Sequence, residues 1–168
     1  MNITIRLAVP ADIPDMVDVG IRSCKVVLKD FVSEEYICKA KATYPDTFNR
    51  IITDNNTTHY IIHADDKAIG MAIITPPSDE DISDNFYEFR GLYLIHPDYY
   101  QQGIGTKVMD FIFDIVLNLG KTAMILWVVE KNKIFTELYE KCGFAADGET
   151  KVFDAGEILN CIRMRKDL

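Results

Sequence analysis

An unbroken apolar run, Ala123-Met124-Ile125-Leu126-Trp127-Val128-Val129, lies between two stretches with helical period. A strand with apolar side chains on both faces must be covered on both, so it belongs inside a sheet flanked by helices. That requirement excludes a pure helical bundle and a sheet with one wet face. The stretch before it, from about Gly103 to Leu119, places Ile104, Val108, Phe111, Ile112, Ile115, Val116 and Leu119 on one stripe, and Gly120 stops it. The stretch after it, from about Asn132 to Cys142, buries Ile134, Phe135, Leu138, Tyr139 and Cys142, and Gly143 ends it.

The remaining elements fit around that core. Ile3, Ile5 and Leu7 alternate with polar residues as an opening strand. Asp12 is placed to cap a helix that carries Pro14 in its first turn and Ile13, Met16, Val17, Ile21 and Cys24 on its apolar stripe. Ser33, followed by Glu34, Glu35 and Tyr36, starts a second helix that is expected to break near Pro45. Runs from His59 to His63 and from Ala68 to Ile74 form a hairpin about Asp65 and Asp66. The loop from Pro76 to Asn85 holds Asp79, Glu80, Asp81 and Asp84, read either as solvated surface or as the border of an amine-accepting cleft. A strand from Tyr87 to Ile95 ends at His96 and Pro97, and a hairpin of Thr150–Phe153 and Glu157–Arg165 closes the chain. With no internal repeat or linker, residues 1–168 read as one mixed α/β domain.

Composition narrows the task. The chain is 48% hydrophobic and 26% charged, ordinary for a globular protein, and no apolar run approaches a membrane span. The N-terminal MNITIRLAVP has no apolar signal core, so a cytoplasmic location with no membrane partner is expected. A formal net charge of −8 repels phosphate backbones, arguing against nucleic acid, and draws cationic or amine substrates. Cys24, Cys38, Cys142 and Cys161 are scattered, and His59, His63 and His96 are not clustered with them. That pattern suggests reduced thiols, mostly buried, structural histidines and no metal.

Chemistry concentrates in two segments. Tyr100-Gln101-Gln102-Gly103-Ile104-Gly105-Thr106 joins a strand to a helix. Glycines there let a ligand approach the backbone, and the free amides and dipole of the helix start favour an anion such as a diphosphate. There is neither a Walker-type Lys-Ser/Thr pair nor a third dinucleotide-type glycine. In the second segment Asn132 reads as a helix cap or a cleft residue. Tyr139, two turns on along the same face, reads as core packing or as a hydroxyl aimed into that cleft.

Together these segments resemble the GCN5-related N-acetyltransferase superfamily. Its coenzyme A motif R/Q-x-x-G-x-G/A is matched by Tyr100-Gln101-Gln102-Gly103-Ile104-Gly105. Its later N-x-x-A-x-x-F-Y-x-x-x-G-F pattern is matched by Asn132, Phe135, Leu138, Tyr139, Gly143 and Phe144. Ile5-Arg6-Leu7-Ala8 with Asp12 and the order of elements also fit, so the likeness covers nearly the whole chain. Tyr100 replaces the usual Arg or Gln in a motif that works mainly through backbone amides, and Phe135 replaces a small alanine, implying different local packing. The segment Glu88–Pro97 carries one residue more than the family's E-L-x-x-L-Y-V-x-P, implying a bulge or register shift. That shift leaves Glu88, Arg90 and Tyr87 as alternatives for the group facing the cleft.

The resemblance implies a mostly antiparallel sheet of six or seven strands, splayed between the fourth and fifth, with about four flanking helices. It implies acetyl-CoA as co-substrate, with its diphosphate on Gln102, Gly103, Ile104, Gly105 and Thr106. Its pantetheine arm would follow Tyr93, Leu94 and Ile95, with Asn132 and Tyr139 lining the cofactor cleft. Glu88 is then the expected base and Tyr139 the expected acid in transfer to a primary amine: a polyamine, an amino sugar, another small amine or a protein amino group. A homodimer is compatible with the family. A non-catalytic acyl-CoA sensor on the same fold needs neither Tyr139 nor a base, and an unrelated nucleotide-phosphate binder would prefer ATP to coenzyme A.

Overall fold

A computed structural model describes residues 1–26, 28–54, 56–94 and 99–168. The apolar run becomes β5 (Ala123–Val129) near the middle of a seven-stranded sheet. The other strands are β1 (Ile3–Leu7), β2 (Thr58–Ala64), β3 (Lys67–Thr75), β4 (Phe86–Leu94), β6 (Ala145–Asp154) and β7 (Ile158–Asp167). Their order across the sheet is β1-β2-β3-β4-β5-β7-β6. Neighbouring strands run antiparallel except β4 and β5, which are parallel because helix α3 (Ile104–Asn118) carries the chain between them.

The sheet is covered on both faces, as β5 requires. On β2 the adjacent residues His59 and Tyr60 point opposite ways: His59 meets Phe48 of α2 (Glu34–Ile52), and Tyr60 meets Phe111 of α3. Helix α1 (Ile13–Val26) packs with α2 on the first face, and α4 (Lys133–Lys141) joins α3 on the second. All four of Ala123, Met124, Ile125 and Leu126 are buried: Met124 and Leu126 join the main core, and Ala123 and Ile125 pack with Phe86 and Ile82.

Several local expectations are corrected. Pro45 does not break α2, which runs on to Ile52; the buried positions Ile37, Ala40 and Phe48 span the proline at helical spacing, so packing outweighs one lost amide bond. Asp12 does not cap α1. It ends a 3₁₀ turn (Pro10–Asp12), where its carboxylate accepts from the Val9 amide and binds Arg6 at 2.7 Å, a contact that lowers its pKa. Leu119 and Ile134 are exposed at 53% and 61%, whereas Met109 is fully buried in α3. Cys24 and Cys161 are buried, Cys142 is half-buried, and Cys38 lies on the surface; all four are free thiols. The extra residue in β4 is a bulge: Ile73 pairs with Gly91 and Ile74 with Phe89, leaving Arg90 unmatched.

Candidate acyl-transfer site

The sheet opens between its central strands. The β4–β5 ladder runs from Phe86 opposite Ala123 to Phe89 opposite Leu126 and goes no further. Beyond it, β4 continues to Leu94 paired with β3, and β5 continues to Val129 paired with β7. Among the described residues the inner edges of the fork therefore carry backbone groups with no strand beside them, the kind of edge that an extended ligand can pair with. Tyr93 and Leu94 lie on that edge, while Ile95, His96 and Pro97 are outside the described residues. Burial lifts the Tyr93 phenol to about 12.

At one end of the fork, the loop into α3 forms a cradle. Gln101 and Gly103 both take positive φ, 59° and 74°, around Gln102, an alternation that turns successive amides toward one side. Gly103 is the N-cap, has no side chain to offer, and its carbonyl takes the first helical bond from the Lys107 amide at 3.0 Å. No acidic residue occupies the first turn of α3, so the amides of Ile104, Gly105 and Thr106 and the positive end of the helix remain available to an anion. A Cβ on Gly103 meets nothing within 4 Å, whereas one on Gly105 would lie 3.0 Å from Leu138 of α4. Gly105 thus serves the close approach of α3 and α4, a packing role that the motif alone does not reveal.

A cavity of about 540 Å³ opens between these helices, lined by Tyr100, Gly103, Thr106, Ile134, Phe135 and Lys141, among others. Tyr100 lines this wall, and its hydroxyl is buried with no hydrogen-bond partner among the described residues, an unmet polar group of the kind that calls for an explanation. Ile134, expected in the core, instead forms part of this wall. Sequence reasoning did not place Tyr100, Ile134 or Lys141 in the site, although Tyr100 was visible as a departure from the motif.

Tyr139 lies on α4 facing the sheet. It is 5% exposed, and its ring sits 6.1 Å from Phe89, 6.0 Å from Phe135 and 6.1 Å from Phe144. Phe135, the replacement for the usual alanine, stacks directly on it. Among the described residues the Tyr139 hydroxyl makes no hydrogen bond, and burial holds its pKa well above the ordinary phenol value, so the group stays protonated at neutral pH. Asn132 is also buried, at 5%, and makes no capping bond, which removes the simplest structural reason for an asparagine there.

Glu88 approaches from the other side. It neighbours Phe89, which faces Tyr139, so strand alternation directs it toward the α1–α2 face. Its side chain is buried apart from an ion pair with the half-exposed Arg90 at 3.4 Å. Glu88 and Phe89 are the last two β4 residues paired with β5, so acid and base candidates flank the closed end of the fork from opposite faces. Tyr87 is half-buried and pairs with no charged group among the described residues, and Arg90 is the bulged residue; of the three alternatives, Glu88 is the buried carboxylate. On the same face a second cavity of about 390 Å³ lies between α2 and the β6–β7 turn, lined by Glu35, Tyr36, Lys39, Tyr44 and Asp154 among others.

A model of the acetyltransferase (GNAT) family matches residues 25–144. Among curated proteins, none matches the chain. Solved structures are similar over the whole length. The PaiA N-acetyltransferase of Thermoplasma acidophilum, in complex with coenzyme A, has 23% identity over 100% of both chains at a TM-score of 0.80. The spermidine/spermine N-acetyltransferase SpeG of Vibrio cholerae has 19% identity over 99% of this chain and 95% of that one, at 0.69. YncA of Salmonella typhimurium, solved with acetyl-CoA, has 18% identity over 99% and 94%, at 0.67. At these identities the structures establish the shared fold, and the family match spans Glu88, the α3 cradle and Tyr139; the chain belongs to the acetyltransferase (GNAT) family.

Proposed function

We propose that this protein transfers an acetyl group from acetyl-CoA to a primary amine by direct attack, with no covalent enzyme intermediate. The observation that carries the reading is the fork: a β4–β5 ladder that stops at Phe89–Leu126 beside an uncapped, acid-free helix start. Amides from Gln102 to Thr106 hold the diphosphate, and the free edge of β4 at Tyr93 and Leu94 hydrogen-bonds the pantetheine arm. Asn132 borders the same cleft. The bound co-substrate supplies a thioester, an acyl group already activated toward amines.

The chain's own groups then manage charge and protons. A β4 backbone amide at the fork steadies the negative charge that develops on the carbonyl oxygen. Glu88, directly or through water, takes the proton that the amine sheds as the C–N bond forms. Tyr139 gives its proton to the departing sulfur as the C–S bond breaks and recovers one from solvent. The Tyr36 and Tyr44 cavity on the Glu88 face receives the acceptor, and the net charge of −8 favours a cation there. Amine-dependent release of coenzyme A, with acylated product identified by mass, tests the reading. Tight coenzyme A binding without amine-dependent release would identify a binding module instead.

A further inference from the structure

The acidic loop between β3 and β4 is not simply solvated. Two of its carboxylates converge on Arg163 of β7, which is only 5% exposed. Asp81 accepts two bonds from the guanidinium, at 2.8 and 2.5 Å, and Asp79 lies at 3.6 Å. Asp147 accepts from Nε at 2.7 Å, carried into reach by the β6 irregularity between Ala146 and Thr150. The indole N–H of Trp127 donates to Asp79 at 3.0 Å, and Lys151 Nζ stands 4.0 Å from the centre of the Trp127 ring.

The position of this cluster is informative. Asp79 and Asp81 belong to the β1–β4 half of the sheet, whereas Trp127, Arg163 and Asp147 belong to the β5–β7–β6 half. Within the sheet these halves are joined by only four register pairs, Phe86–Phe89 with Ala123–Leu126. Trp127 is the next β5 residue after the last pair, and it faces the same side as Glu88, two residues from Ile125, the register partner of Glu88. The ionic cluster is therefore a second connection across the closed end of the fork, at its inner lip. A guanidinium held by several carboxylates in a buried setting resists displacement, because separating it leaves charges unpaired.

We propose that Arg163 is a positioning residue that fixes the opening of the fork and thereby limits the length of acyl group that is transferred. The inference rests on the acyl-transfer reading above. The thioester carbonyl sits where the strands part, so a chain longer than acetyl needs space beside Trp127. Arg163 holds that lip closed by tying Asp79, Asp81 and Asp147 together. Each methylene discriminated in such a pocket is worth roughly 10-fold or more in rate.

The test compares kcat/KM for acetyl-, propionyl- and butyryl-CoA in wild type, R163M and D81N. R163M is expected to lower the acetyl-to-butyryl ratio about tenfold, and D81N to move it the same way by less. The ratio is independent of the active fraction, so partial unfolding alone leaves it unchanged. Trp127 is the sole tryptophan, and acrylamide quenching of its fluorescence should rise in R163M. If R163M fails to fold, D81N decides, because the Asp81 side chain is 58% exposed and its neutralisation buries no new charge. An unchanged ratio in a folded variant, with an active wild type, overturns the role of Arg163 alone. A wild type that binds coenzyme A and transfers no acyl group overturns the acyl-transfer reading, and this inference with it.

Discussion

Replacing Tyr139 by phenylalanine removes one oxygen and keeps the ring. That ring packs against Phe89, Phe135 and Phe144 at centroid distances of 6.0 to 6.1 Å, and phenylalanine preserves all three contacts. The hydroxyl has no partner among the described residues, so its loss should change folding stability by less than ~1 kcal/mol. Alanine would instead empty a buried aromatic site at a cost of about 3–5 kcal/mol, confusing misfolding with lost chemistry. If the phenol protonates the leaving sulfur, kcat should fall on the order of 10²-fold, about 2.7 kcal/mol of transition-state stabilisation, with acetyl-CoA affinity nearly unchanged. Burial raises the phenol's pKa, so the acid form persists through neutral pH, and any alkaline loss of kcat should lie above the ordinary tyrosine range near ~10. The assay is single-turnover thiol release at saturating acetyl-CoA, beside a thermal melt. A kcat within about threefold of wild type, with chemistry rate-limiting and the melt unchanged, would show that Tyr139 only fills space.

Three further outcomes follow from the same structure. Glu88→Gln should lower kcat/KM by roughly 10²-fold, less at high pH where the amine is already free, and an unaltered pH–rate profile assigns proton removal elsewhere. Gly105→Val should lower the melting temperature and weaken coenzyme A binding together, since its side chain meets Leu138 at 3.0 Å and shifts the start of α3; a wild-type melt with wild-type affinity would contradict that close approach. Burial depresses His59 from 6.5 to about 4, so in the interval between those values the unfolded chain binds the extra proton and stability falls as pH falls. The loss, of order 3 kcal/mol if fully expressed and complete near pH 4, should shrink in His59→Phe when urea denaturation at pH 7 and 4.5 is compared.

Much of the arrangement was legible because it is local or periodic. The apolar run at 123–129 required two covering layers, and the two glycines of the α3 loop marked the start of a helix that Gly103 caps. One extra residue between Glu88 and Pro97 signalled the bulge that the structure places at Arg90. Features that depend on distant partners were not legible. Pro45 stays helical because the buried face of α2 packs on the sheet, with Phe48 against His59 of β2 at 6.4 Å, and local propensity carries no trace of that contact. The acidic loop looked like solvated surface or a cleft border, yet Asp81 finds Arg163 82 positions later, a pairing with no period to detect. The glycine spacing of the α3 loop also carries no sign that a Cβ at Gly105 would meet Leu138 of α4.

The most direct test of acetyl transfer at the fork is release of coenzyme A from acetyl-CoA across a panel of amines: polyamines, amino sugars, small amines and peptides with free amino groups. At least one amine should release thiol in a one-to-one ratio with an N-acetylated product, and Tyr139→Phe should reduce that release to about one hundredth. Coenzyme A binding without amine-dependent release from any member of the panel, or no binding at all, would contradict the assignment.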